Sequence, residues 1–171
     1  MKEDTKMKNT NIKYCFLLAA LASLFAVPVN AEESSAEGVK AEAMAEALNV
    51  EEDFDKAVAA AKKDGKKIVL EFSGLDWCPP CKMLHKFVVN TKDFIKYANN
   101  KLHFIIADFD RYGNPKNKAF AKRYKELADK YNLRGFPTIV ILSPDGNVQE
   151  TIVGFEVRSP QELIARIAKA Q

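Results

Sequence analysis

The stretch from Ile68 to Val88 restricts the fold of this chain more than any other. Ile68-Val69-Leu70-Glu71-Phe72-Ser73 is a block of β-formers of the length a buried strand needs. Trp77-Cys78-Pro79-Pro80-Cys81 follows it, and Met83, Leu84, Phe87 and Val88 then recur at helical spacing. The pattern predicts a strand, a turn carrying two cysteines, and a helix that begins at those cysteines. Two prolines are tolerated there because the first helical turn has backbone donors to spare, and their fixed φ sets the turn geometry.

A cysteine at the first turn of a helix faces unpaired N–H groups and the positive end of the macrodipole, so its thiolate is favoured. Cys78 is thus expected to be an exposed nucleophile. Cys81 lies one turn on, where its sulfur can attack a mixed disulfide formed at Cys78 and release the product. A structural disulfide is the competing reading, but a loop closed across two residues restrains little of the unfolded chain. A zinc site needs about four ligands, and beyond the two thiols only His85 and His103 remain as soft donors. Covalent haem attachment requires His straight after the second Cys, where Lys82 stands.

The third cysteine, Cys15, falls in a segment with the marks of an export signal. Lys2, Lys6, Lys8 and Lys13 precede an uncharged apolar run from Phe16 to Val27, and Val29-Asn30-Ala31 offers small residues at the cleavage positions. Residues 1–31 therefore read as a cleavable signal peptide. The apolar run falls short of the roughly 20 residues of a spanning helix, which disfavours the alternative of an uncleaved N-terminal anchor. Residues 32–48, rich in Ala, Glu, Ser and Gly, read as a flexible lead-in, and residues 49–171 as one domain. Cleavage removes four lysines and two acids from totals of 26 and 23, leaving a net charge of +1. With no basic patch interleaved with aromatics, nucleic acid is not an expected partner.

Within the domain, Asn49 is positioned to cap a helix from about Val50 to Lys63, ended by Asp64-Gly65. Thr91 caps a short helix through Phe94, Ile95 and Ala98, and Leu102 to Phe109 reads as a strand. Asn114-Pro115 opens a long polar helix to about Tyr131. Thr138 to Leu142 and Val148 to Val153 form a hairpin across Ser143-Pro144-Asp145-Gly146, and Ser159-Pro160 caps a final helix. Asp108 and Asp110 are expected to face solvent.

Trp77-Cys78-Pro79-Pro80-Cys81-Lys82 after a strand, then Arg134-Gly135-Phe136-Pro137-Thr138 before a hairpin, resemble the thioredoxin superfamily in spacing and order. The resemblance covers roughly residues 50 to 170, two motifs in register making it specific, and is nearest to exported thioredoxin-like proteins of bacteria. It implies an α/β thioredoxin-like fold, with a central mixed β-sheet flanked by helices in the order α-β-α-β-α-β-β-α. Pro137 would be a cis-proline facing the cysteines, and Phe136 would offer backbone pairing to an extended substrate. Trp77, Phe136 and Phe155 would form an apolar docking surface, with core packing the alternative for Phe155. Pro79, Pro80 and Thr138 would complete the substrate contacts, and Gly154 would let substrate backbone approach. Glu71 is the counterpart of the family's buried acid, the expected general base at Cys81, although one residue further from the first cysteine than usual. The lysine that often pairs with this acid falls at an apolar position here, near Ile106.

These features together imply a thiol:disulfide oxidoreductase with catalytic residues Cys78, Cys81 and Glu71, monomeric and needing no separate cofactor. It would be periplasmic or secreted, exchanging disulfides with cell-envelope proteins and coupled to a membrane electron donor or acceptor. Trp77 and Thr138 resemble thioredoxin and lean toward reduction. A disulfide oxidase or isomerase, and a non-catalytic binding module on the same fold, are the alternatives.

Overall fold

The computed structural model describes residues 46–171. The expected signal peptide, most of the lead-in and Cys15 lie outside the described residues. The elements run β1 (Val50–Glu51), α1 (Phe54–Asp64), β2 (Lys67–Ser73), α2 (Pro79–Leu84), a π-helical segment (His85–Val89), α3 (Lys92–Lys101), β3 (Leu102–Asp108), α4 (Ala121–Lys130), β4 (Thr138–Leu142), β5 (Val148–Val153) and α5 (Pro160–Lys169). The five strands form one sheet in the order β1-β3-β2-β4-β5. β1, β3 and β2 run parallel, whereas β4 is antiparallel to β2 and β5 to β4. This is the mixed, helix-flanked sheet expected from the two motifs.

Alternation along β2 divides the core in two, since successive side chains of a strand point to opposite faces. Ile68, Leu70 and Phe72 join Phe54, Ala57, Tyr124 and Leu127 beneath α1 and α4. Val69 joins Leu84, Val88, Phe94, Leu163 and Ile167 beneath the helices that follow the cysteines and α5. Glu71, two residues after Val69, belongs to that second face.

Two expected boundaries are corrected. The first helix begins at Phe54, because Asp53 accepts the amides of Asp55 and Lys56 and so caps it. Asn49 instead donates its amide to Asn99, and Val50 and Glu51 leave the helix to pair with Phe104 and Ile105 on β3. The helix expected from Asn114-Pro115 begins only at Ala121. Asp110 gathers the amides of Tyr112 and Asn114, Gly113 takes a positive φ of 78°, and Pro115 bridges back to Phe109. These local bonds satisfy the backbone in a loop folded against the end of β3. The helix that begins at the cysteines passes from α2 into the π segment, and α3 follows as a separate helix capped by Thr91, as expected.

Candidate active site

β2 runs out at Ser73, and the chain turns through Gly74 and Leu75 into the cysteine motif. Phe109 N–H donates to Ser73 O, and Leu75 N–H donates to the Asp108 carboxylate at 2.8 Å. Asp108 also pairs with Lys116 at 2.7 Å, so this acid, expected to face solvent, ties the turn before the cysteines to the end of β3. Asp110 shapes the following loop.

Cys78 and Cys81 form a disulfide, with Cα atoms 5.3 Å apart. Cys78 is the N-cap of α2, with extended backbone, and its Sγ accepts the Cys81 amide at 3.2 Å. Pro79 and Pro80 occupy the first two helical positions. Capping normally falls to a serine or aspartate oxygen; here a sulfur does it, and the same amide is placed to steady a thiolate when the bond is open. Cys78 was expected to be exposed, but in the disulfide it is 3% exposed and Cys81 is fully buried. The cause is the cap itself, which with the bond to Cys81 turns Sγ over the first helical turn.

Trp77, the residue before Cys78, belongs to a chain of aromatic contacts. Trp77 meets Phe136 edge to face at 5.6 Å, Phe136 meets Phe109 at 5.6 Å, and the indole N–H donates to Phe109 O at 2.8 Å. The Phe136–Pro137 peptide is cis. Thr138 is buried, and its hydroxyl donates to Gly135 O at 2.8 Å, holding the loop from inside. Gly154, with φ of 79°, donates to Pro137 O at 2.7 Å and has open space where a Cβ would project. Phe155 packs against the core under α3 and α5, and Arg158 lies over its ring at 4.6 Å. Trp77, Phe136, Pro137 and Gly154 are therefore brought together, while Phe155 is shared with the core.

Gly74 sets the position of Trp77. A Cβ there would stand 2.6 Å from the indole ring, closer than any real contact allows. Gly74→Ala should displace the ring, shifting the fluorescence of this single tryptophan and costing about 1–3 kcal/mol in a denaturant titration.

Glu71 is fully buried, and it is not unpartnered: His85 Nε2 lies 2.9 and 3.1 Å from its two oxygens. An ionised carboxylate without such a bond would be costly in this core. Glu71 stands in register with Ile106, the apolar position noted above, and the partner arrives from the helix instead. Burial pulls the His85 imidazole toward its neutral form, but the hydrogen bond and charge of Glu71, with Asp108 and Asn90, outweigh it and raise its pKa above the ordinary 6.5. Sequence reasoning weighed His85 only as a zinc ligand. Its place four residues after Cys81, one turn along the same helix face, was the available signal.

Residues 54–171 match the family described as a thioredoxin-like domain. Among curated proteins, the disulfide bond reductase DsbH of Chlamydia pneumoniae is 28% identical over 119 residues, 70% of each chain. A solved structure titled DsbH oxidoreductase superposes with a TM-score of 0.64 at 26% identity, covering 80% of this chain and 94% of that one. A disulphide isomerase from Xylella fastidiosa superposes at 0.51 with 25% identity, covering 72% of this chain and 98% of that one.

Proposed function

From the premise that this chain belongs to the thioredoxin-like family and is a thiol:disulfide oxidoreductase, we propose that it is exported and reduces disulfides of cell-envelope proteins through Cys78 and Cys81. The observation that carries this reading is the Cys78–Cys81 disulfide set on the N-cap of α2, with the Cys81 amide on the Cys78 sulfur. In the dithiol form, the Cys78 thiolate attacks a substrate disulfide, forming a mixed disulfide and expelling one substrate thiolate. Cys81 loses its proton and attacks the Cys78 sulfur. The Cys78–Cys81 bond forms, the bond to the substrate breaks, and two electrons have passed to the substrate. A membrane electron donor returns the pair to the dithiol. Trp77, the Phe136–Pro137 edge and Gly154 receive an extended substrate segment beside the sulfurs, and no separate cofactor is needed. The basic, apolar N-terminus supports export, and the relative named a disulfide bond reductase supports the direction.

The likeness to a disulphide isomerase keeps a second reading in view, in which the same couple donates or reshuffles disulfides. The reduction potential of the Cys78–Cys81 couple separates them. Equilibration against dithiothreitol or glutathione buffers should give a value near the roughly −270 mV of thioredoxin, whereas one at roughly −120 to −180 mV would favour oxidase or isomerase work.

A further inference from the structure

The resolving step leaves one proton to be placed, that of the Cys81 thiol, and Cys81 is fully buried. Bulk water is not at hand to take it. Glu71, equally buried, is on the face of the sheet covered by α2 and the π segment, as its alternation with Val69 requires. Its two oxygens share one donor, His85 Nε2. A carboxylate only accepts, so Nε2 carries the hydrogen in this contact and Nδ1 is the free nitrogen of the neutral ring. The His85 side chain is 13% exposed against 0% for Glu71, so the imidazole spans the distance from the sealed carboxylate to solvent.

The backbone holds His85 in this position. Its N–H reaches back to both Cys81 O and Lys82 O, and its carbonyl accepts Asn90 N–H five residues on, at 2.8 Å. The α-helix thus widens into a π turn at the residue that meets Glu71. Such turns are rare and occur mostly as single insertions, frequently at functional sites.

We propose that His85 is the positioning residue for Glu71, the base expected at Cys81, the two acting as one proton-accepting unit through whose imidazole the proton reaches solvent. The proposal rests on the oxidoreductase reading above. When Cys81 ionises, its proton passes to the Glu71–His85 pair. The Cys81 thiolate then closes the disulfide with Cys78, and the proton leaves from the outer nitrogen of His85. Reduction runs the path backwards, the pair returning a proton to Cys81 as it departs as a thiolate. A joined pair titrates as a unit. Groups facing the imidazole are Glu71 from β2, Asp108 from the end of β3 and Asn90 at the end of its own segment. α3 and α5 pack on that segment through the apolar core of Phe94, Leu163 and Ile167. Because the pair must be free of its extra proton to accept another, resolution quickens as pH rises through the raised pKa of His85.

The test uses the reduced full-length chain carrying Cys15→Ser, mixed with dithiobis-nitrobenzoate in a stopped-flow instrument. Attack by Cys78 releases the first thionitrobenzoate in a reagent-dependent phase, and resolution by Cys81 releases the second in a reagent-independent phase. The second phase should rise with pH through a midpoint above 6.5. His85→Gln, which keeps an N–H donor but cannot titrate, should leave the first phase unchanged, slow the second about tenfold near pH 7 and abolish that midpoint. Glu71→Gln, which removes the chief raising influence on the imidazole, should move the midpoint to lower pH. A second phase with the parent profile in both variants overturns the unit while leaving the oxidoreductase reading standing. Failure of the parent protein to release the second equivalent sinks both.

Discussion

Replacing Cys78 with serine should abolish disulfide exchange altogether, while replacing Cys81 with serine should leave Cys78 reactive and unable to let go. A hydroxyl at position 78 remains protonated at neutral pH and is a poor nucleophile, and the loss is complete because the one thiol left among the described residues, Cys81, is buried. In Cys81→Ser the mixed disulfide has no internal attacker, so it persists until an outside thiol resolves it. Insulin reduction should fall to background in both variants. Non-reducing electrophoresis of cell-envelope extracts should show adducts with Cys81→Ser and none with the double variant. A non-catalytic binding module would behave oppositely, keeping its partners after both sulfurs are gone. Adduct formation through Cys78 alone separates the two readings.

Phe104→Ala should be the most damaging single truncation away from the sulfurs. Phe104 lies in β3, 1% exposed, paired with β1 on one side and β2 on the other, and meets Phe94 edge to face at 5.6 Å. Removing the ring forfeits its burial and the aromatic pair and leaves a cavity that a doubly paired strand cannot close. The cost should be about 3–5 kcal/mol. By the usual scaling the thermal midpoint drops on the order of 10–20 °C. Calorimetry would check it, and a shift within 3 °C would show that the core collapses around the gap. The residual folded protein should retain the Cys78–Cys81 potential, because Phe104 sits beside the edge strand and the sulfurs follow β2.

What could be read from the residues alone followed from local periodicity and short-range turn chemistry. β2, the cysteine turn, the β4–β5 hairpin and the Ser159 cap are each set by neighbours within a few residues. β1 was illegible because two residues have no period, and its existence depends on β3 offering an open edge about a third of the chain away. The late start of α4 had a similar cause: Pro115 is a good first helical residue, but Asp110 and Gly113 satisfy the preceding backbone in a loop, and Pro115 bridges to Phe109. At the site, the cysteines and Phe136–Pro137 are contiguous motifs and could be named in advance. The part His85 plays could not, since it comes from Glu71, fourteen residues earlier and across a packed interface. The apolar residue facing Glu71 at Ile106 was the hint that a different partner had to be found.

The position of β2 has a consequence for how the molecule breathes. β2 is paired along its length by β3 and β4, whereas β1 and β5 are edges, one of them two residues long. Openings of small cost involve edges and ends, and amides of a central strand exchange with solvent deuterium only when most of the domain opens. The turn bearing Cys78 is thus rooted in the slowest-exchanging part of the protein. Fluctuations that fray β1 or β5 leave the sulfurs, Trp77 and the Glu71–His85 pair in place. Conditions harsh enough to deprotect the amides of Leu70 to Phe72 should also be those under which the thiols lose their distinctive reactivity, so that chemical competence and global stability fail together.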